Sequence, residues 1–540
     1  MGSSNQAASL TWAGTGPRPA KIDQVKSPSR EDANSPAPIP RAPDRTSTPL
    51  PSTFGLTMDP ATTRLDQGRV LMGGSPLRLL RLSPRAGTLV ERWGAGGTVG
   101  SGKGGQLLAR RLVAAGVFLP RPGSPTYGSD DVTVVIPVRD RPEQLGRLLS
   151  ALEGMRCVVV DDGSNEPGRT EDVTERGRAD LVRLVVNSGP SAARNAGLSR
   201  GSTPLVAFVD SDCVPERDWL DHLLPHFNDP LVAAVAPRVV PLPPAAPSSL
   251  TRYEALRSSL DRGAAPGLVR PLSRIPYVPS AALVVRREAA GGELFDPQLR
   301  GGEDVDMVWR LADAGWDVRY EPDSIVLHDG PGRVGPWLAR RAFYGTTAGP
   351  LSARHRGALS PLHSSAWTAG VWALVLARRP FLAAGVLATS IAVLARRLNG
   401  LVDEPVKAAA QIAGGGTAKS ALPALGGLTR AWSPGLVVAL CWRRTRRAAA
   451  VALLAPGIAD WMSGRGELDP IRYTALHAAD DVAYGAGVWL GCLRARTVAP
   501  LVPRIAFRAR VWSNPTLRAQ LGGQTDTKKR TDTKSDAAIP

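Results

Sequence analysis

Asp210 and Asp212 stand one residue apart in FVDSDCVP, at the end of an apolar run that carries Phe208 and Val209. Two carboxylates beside a hydrophobic strand are costly unless something pairs with them. In an extended segment residues i and i+2 point the same way, so the two can reach one small site together. Magnesium or manganese suits such a pair, because these hard ions take one or two carboxylates and leave positions for phosphate oxygens. The bland alternative is a strand-end turn in which Asp210 or Asp212 caps a helix starting near Glu216. Upstream, VVVDDGS ends another strand on Asp161 and Asp162, and the Gly163-Ser164 turn lets a ligand approach the backbone. A carboxylate there can accept a hydrogen bond from a base N–H or pair with a ribose hydroxyl. SGPSAARNAG then supplies Arg194, a bidentate partner for phosphate, on a helix that begins in a small-residue loop.

These groups need a scaffold that brings strand ends together. VTVVIPV and RCVVVDD read as strands, PEQLGRLLSAL between them has helical periodicity, and LVRLVVN and PLVAFVDSD continue the series. Strands so continuously apolar are covered on both faces, which means parallel strands joined by helices. An α/β sheet of this kind binds ligands at the carboxyl ends of its strands, where Asp161, Asp162, Asp210 and Asp212 all fall. The sheet domain is expected over residues 130–345. Residues 1–52, rich in Pro, Ser, Ala and Arg, are expected to form a disordered arm. Residues 53–122 predict a small strand-plus-helix module: a hairpin turning at Gly73-Gly74, then helical segments around Leu89 and from Leu107 to Val113. RPGSPTYGSDD follows as a linker. Residues 346–515 read as a basic, mostly helical region, and 516–540 as a disordered tail.

Charge and cysteine content narrow the class. Lys+Arg is 66 against Asp+Glu 48, a formal charge of +18, so the partners are acidic: phosphate-bearing substrates or an anionic surface. Aromatics are only 5 % and no recognised motif appears, which argues against nucleic acid. Four scattered cysteines with no CxxC suit a reducing interior and argue against structural zinc. Residues 1–36 are polar and lack a signal-peptide core, so the catalytic part is expected to stay in the cytoplasm. GTVGSGKG comes close to a P-loop, but Gly104 stands where Ser or Thr should hold magnesium, and LVERWGAG before it looks helical. In the basic region, Asp403 and Glu404 are the only acids between 330 and 459, while arginine pairs recur at 340–341, 378–379, 396–397, 443–444 and 446–447. FLAAGVLATSIAVLA is short of the roughly 20 residues of a spanning helix. With AWTAGVWALVLA it can form a hairpin that dips into an anionic cytoplasmic leaflet, as a peripheral or shallowly inserted attachment. The competing expectation is a soluble helical domain packed on the catalytic core.

The series VVIPVRDRPEQLGRLLSAL, VVVDDGS, SGPSAARNAG, FVDSDCVP and GGEDVDMVWRLADAGW resembles the family 2 glycosyltransferases of GT-A fold over about 200 residues. The resemblance implies a nucleotide-sugar donor, usually linked through UDP, and transfer with inversion. It implies that Asp162 contacts the uracil with Asp161 and Arg194 nearby, that Asp210 faces ribose and metal, and that Asp212 ligates Mg2+ or Mn2+. Asp304 sits where the family keeps its general base, with Glu303 beside it, and His328 sits where some relatives place a further metal or diphosphate ligand. A buried structural histidine fits that position equally well. The acceptor hydroxyl must lose its proton while it attacks, which needs one positioned carboxylate; Glu303 and Asp306 could serve in place of Asp304, or cap the helix. MVWRLADAGW lacks the Gln-x-x-Arg-Trp element of processive synthases, so long polymerisation is not expected. A glycosidase would also use two carboxylates, but has no need of the nucleotide elements. The small N-terminal module and the basic helical C-terminal region extend the likeness to the mycofactocin glycosyltransferases of actinobacteria, and the module is similar, more loosely, to PqqD-like peptide-binding modules. This implies β-linked glucose, as one or several units, on a peptide-derived redox cofactor or its precursor, with residues 53–122 free to meet a precursor peptide or biosynthetic partner. The alternatives are a lipid or cell-envelope acceptor and a catalytically silent peptide-binding scaffold.

Overall fold

The computed structural model describes residues 38–464 and 468–506, with the backbone of Asp23–Val25. The rest of the expected N-terminal arm and the expected tail at 516–540 lie outside the described residues.

A ten-stranded mixed sheet organises the chain. Its main strands are β1 (Val132–Val138), β2 (Arg156–Asp162), β3 (Asp180–Leu184), β4 (Leu205–Val209), β5 (Cys213–Pro215), β6 (Val232–Pro241), β7 (Ala282–Arg286) and β8 (Asp317–His328). β3, β2, β1 and β4 lie side by side in parallel; β7 joins β4 antiparallel, β6 and β8 follow, and β5 pairs antiparallel with the end of β8. The order reverses between β1 and β4, so their carboxyl ends frame a crevice with that of β2. Successive residues feed opposite cores: Val134 and Ile136 pack with Leu145, Leu148 and Trp219, while Val135 packs with Phe208, Val308 and Leu311. The continuous apolar runs are explained by this double coverage, each buried large side chain contributing about 1.5 to 3 kcal/mol.

Two helices complete the site: α1 (Pro190–Arg200) and α2 (Glu303–Asp313). Beyond β8 the chain is helical: α3 (Val334–Thr346), α4 (Ala366–Leu376), α5 (Pro380–Leu398), α6 (Gly416–Ala439), α7 (Arg446–Gly464) and α8 (Pro470–Arg494). Helix α3 packs along α8 so closely that a Cβ on Gly345 would lie 2.1 Å from the Tyr484 carbonyl oxygen. It therefore joins the helical region, although the sequence expectation assigned it to the sheet domain. Helix α5 runs 19 residues, past the 15-residue apolar stretch, because Arg396 and Arg397 continue the helix readily.

The N-terminal module has two short sheets, Gly55–Met58 with Phe118–Arg121 and a meander Thr63–Leu65, Val70–Gly73, Arg78–Arg81, covered by helices Pro84–Gly94 and Lys103–Ala115. Trp93, Leu112 and Phe118 lead its core, with Leu50 and Phe54. The expected disorder up to residue 52 is corrected here, because residues 38–52 form an ordered strap. Pro40 O accepts from Trp316 Nε1 at 2.7 Å, and Arg45 Nη2 meets the buried Asp317 at 2.8 Å. Proline-rich composition hides these anchors, since the partners lie some 270 residues away.

Module and sheet meet at a buried ionic seam. Arg110 binds Asp229 through two contacts of 2.7 Å, Arg319 also pairs with Asp229, and Arg270 reaches Asp317 at 2.9 Å. Burial alone would raise the Asp317 pKa, but the Arg45 and Arg270 guanidiniums overcome it and hold the carboxyl well below its usual range.

Candidate active site

At the end of β2 the two aspartates part company. Asp162 accepts from the backbone N–H groups of Ser188 and Gly189, at 2.7 and 2.9 Å. Burial raises its pKa and these two N–H groups oppose the rise. Asp161 is fully buried, accepts from Ser164 N at 3.0 Å, and leaves Oδ2 without a hydrogen-bond partner. Gly163 has φ of 68°, and a Cβ on it would come within 2.7 Å of Asn187 N, so only glycine lets the two loops touch. Asp140 ties this turn to the end of β1 by accepting from Asn165 N at 2.7 Å. Sequence reasoning missed Asp140, which carries no motif of its own.

The pair at the end of β4 differs from the extended arrangement expected. Residues 210–213 form a turn, with Cys213 N donating to Asp210 O at 2.9 Å. The turn sends the carboxylates to different partners. Asp210 Oδ1 lies 2.7 Å from Arg194 Nη2, while Asp212 pairs with Arg141 and stands 3.6 Å from His328 Nε2. The β5–β8 pairing, which sets Cys213 opposite His328, brings Asp212 and His328 together. Arg194 is buried, and its other arm reaches Glu303 at 3.0 Å, so it braces two carboxylates in this structure.

The three acids at the start of α2 are sorted by their partners. Glu303 belongs to Arg194; Asp306 is held by Arg310 at 2.7 Å and His355 at 3.0 Å. Burial would raise Asp306, but His355 and Arg310 bring it below the usual carboxylate value. Asp304 accepts from Val305 N at 2.8 Å and makes no ion pair among the described residues. Burial, then the neighbouring Glu303 charge, push its pKa up to about 7 against backbone hydrogen bonds and Arg194.

A cavity of about 590 Å3 borders this centre, with Pro241, Leu242, Glu254, His328, Trp337 and Tyr344 in its wall. Glu254 accepts from Trp337 Nε1 at 2.8 Å and Arg341 Nη2 at 2.5 Å, which stiffens the wall. The Tyr344 phenol is pushed up to about 12, first by burial and then by the Asp304 and Asp210 charges, against Arg340 and Arg341. Helix α3 thus carries site residues, Trp337 and Tyr344, that sequence reasoning did not single out. Among the described residues no group of three or more His, Cys, Asp or Glu side chains is arranged to hold a metal ion. Asp212 and His328 form a two-donor set.

The parallel-to-antiparallel sheet, the acids at three strand ends and the lone carboxylate on α2 define a GT-A glycosyltransferase. The family model of glycosyl transferase family 2 matches residues 133–263. The chain is 41 % identical over 479 residues to the pre-mycofactocin glycosyltransferase of Mycobacterium tuberculosis, in strains CDC 1551 and H37Rv, covering 85 % of this chain and 99 % of that protein. The chain belongs to that family of glycosyltransferases. It is also 26 % identical over 224 residues to the glycosyltransferase AglE of Haloferax volcanii, 39 % of this chain and 70 % of that one. A solved mannosyltransferase from Pyrobaculum calidifontis, in complex with GDP-Man and Mn2+, aligns at 20 % identity with a TM-score of 0.34, over 64 % of this chain and 89 % of that one.

Proposed function

We propose that the protein is an inverting hexosyltransferase that moves glucose from UDP-glucose onto pre-mycofactocin, a peptide-derived acceptor, forming β-linked glucose or short oligoglucose. The observation that carries this reading is Asp304, the one acid at the start of α2 with no cation on it, beside the sheet-end crevice and poised near neutrality. Asp304 takes the proton of the acceptor hydroxyl as that oxygen bonds to the anomeric carbon from the face opposite the leaving group. The bond from the anomeric carbon to the diphosphate breaks, and its electron pair leaves with UDP. Asp162 and Asp161 anchor the base side of the donor. Arg194 positions Asp210 and Glu303, and the two backbone N–H groups on Asp162 keep the nucleotide loops in register. Asp212 and His328 would hold Mg2+ or Mn2+, with Asp210 next to them, leaving coordination positions for the diphosphate. A divalent ion bound there supplies stabilisation of the charge on the leaving phosphate.

Residues 53–122 are read as the recognition module for a precursor peptide or biosynthetic partner. A cavity of about 480 Å3 at the seam, walled by Phe118, Arg121, Arg274 and Tyr320, supports that role. The basic helices are read as attaching peripherally or shallowly to the cytoplasmic face of the cell membrane. To test the central reading, purified protein is incubated with UDP-glucose, Mn2+ and pre-mycofactocin and examined by mass spectrometry. A hexose increment on the acceptor with stoichiometric UDP is expected. UDP release unchanged by the acceptor, with no hexose transferred, overturns it.

A further inference from the structure

We infer that the turn between α4 and α5, residues 375–382, is the point at which the protein enters a bilayer, resting at the boundary between anionic headgroups and acyl chains. The inference rests on the membrane reading given above and specifies where and how deeply contact is made. Leu376, Phe381 and Leu382 are 83, 91 and 59 % exposed. Three large apolar side chains so open at one turn are what an interface-seeking segment presents. Arg378 and Arg379 sit between them, both exposed and with no ion pair among the described residues, and Arg378 takes φ of 57° to close the turn. The occupant is fixed by charge. Asp403 and Glu404 are the only acids between residues 330 and 459, and each is paired, with Arg69 and Lys407, so this part of the chain offers little to repel phosphate headgroups.

Depth follows from the arginines and from the far end of α5. Helix α5 is long and apolar enough to cross a membrane by length and composition, and little of it is buried. Its last turn, however, is built into another core: Ala395 and Leu398 pack with Val70 of the N-terminal module and with Val402 and Ala409. Arg69 also pairs with Asp403 at 2.6 Å, just past that end. A spanning α5 would have to leave this core. Tip-first burial of the whole hairpin would carry two guanidiniums toward the bilayer centre, where they are strongly disfavoured. Shallow seating puts the arginines at the phosphates and Leu376, Phe381 and Leu382 just beneath them.

The test is co-flotation of the full chain with phosphatidylglycerol or phosphatidylcholine vesicles, at low and high salt. Light scattering and UDP-sugar hydrolysis are measured on the same samples. The wild type is expected to float with phosphatidylglycerol. Arg378→Gln with Arg379→Gln should lower that partition about tenfold or more, and Leu376→Ser with Phe381→Ser should leave a residue that high salt releases. Hydrolysis should be unchanged in both, showing that the variants fold. If the wild type floats and both variants float equally, the tip is not the contact, although membrane attachment stands. No flotation of the wild type overturns both readings. Wild-type dimers that the variants dissociate, without flotation, would assign the tip to a second copy of the chain and likewise overturn the proposal.

Discussion

Asp317, fully buried at the seam, and Asp304, half-buried at the catalytic crevice, are carboxylates that their neighbours treat oppositely. Arg45 and Arg270 press on Asp317, with Arg319 close by, and the proton is driven off. Asp304 faces Glu303 and has only backbone donors and a more distant arginine in its favour, so it holds its proton up to about pH 7. Proximity to arginine, more than burial, therefore separates an acid that fastens the fold from one that can take a proton. At the DxD turn Asp210 and Asp212 each have one arginine.

Breaking the catalytic side should have the largest effect. Asp304→Asn is expected to cut transfer about a thousandfold while UDP-sugar binding by calorimetry stays within a few-fold. A surviving rate above a tenth of wild type would move the base elsewhere. On the structural side, Arg110→Met leaves Asp229 buried with Arg319 alone and should cost about 3 kcal/mol in urea unfolding. A loss below 1 kcal/mol would mean that the seam is dispensable and the module independent. Asp212→Ala should weaken Mn2+-dependent UDP-sugar binding by about 10- to 100-fold. Equal binding with and without Mn2+ in both proteins would separate Asp212 from any metal role.

The smallest effects are the pH dependences, and they have opposite signs. Because the base must be ionised, kcat/KM should fall toward tenfold per pH unit below about 7. Asp304 binds its proton more tightly folded than unfolded, so stability declines as pH rises from about 4 through 7. Asp304→Asn should then be the more stable protein at pH 8, by about 1 kcal/mol, and the gain should vanish near pH 4. Asp317 has a lowered pKa, so its contribution is present above about pH 4 and is lost as pH falls below that. Urea midpoints of wild type and Asp304→Asn from pH 4 to 8 measure the first effect, and wild-type midpoints from pH 4 downward measure the second; a pH-independent difference between wild type and Asp304→Asn would contradict the assignment to Asp304.

The sheet was legible because the central strands VTVVIPV, RCVVVDD and LVAFV are almost continuously apolar, and two of them run straight into acids, a pattern that suits doubly covered parallel strands. Asp304 was legible as one of three neighbouring acids, but its partners single it out: Arg194 lies 109 residues from Glu303 in the chain, and His355 lies 49 from Asp306. Local spacing carries no trace of either contact. The DxD expectation failed on a backbone detail, since VDSDC turns where alternation assumed an extended segment. Tyr344 and Glu254 were invisible for a similar reason: the cavity wall is assembled from helices 87 residues apart in sequence.

The strap at residues 38–52 sets a timetable for biosynthesis. Arg45 emerges from the ribosome 272 residues before Asp317, the partner that seats it. At translation speeds of 5 to 20 residues per second, that is a wait of about 15 to 50 s. During that interval Leu50 and Phe54 can already help to close the module core, because the apolar cluster they join lies within the first 118 residues. Arg110 gains Asp229 after a further 119 residues, and Asp317 comes last. The module is thus born early and fastened late, and a nascent chain halted before β8 would present its arginines to the cytoplasm without the carboxylate that completes the seam.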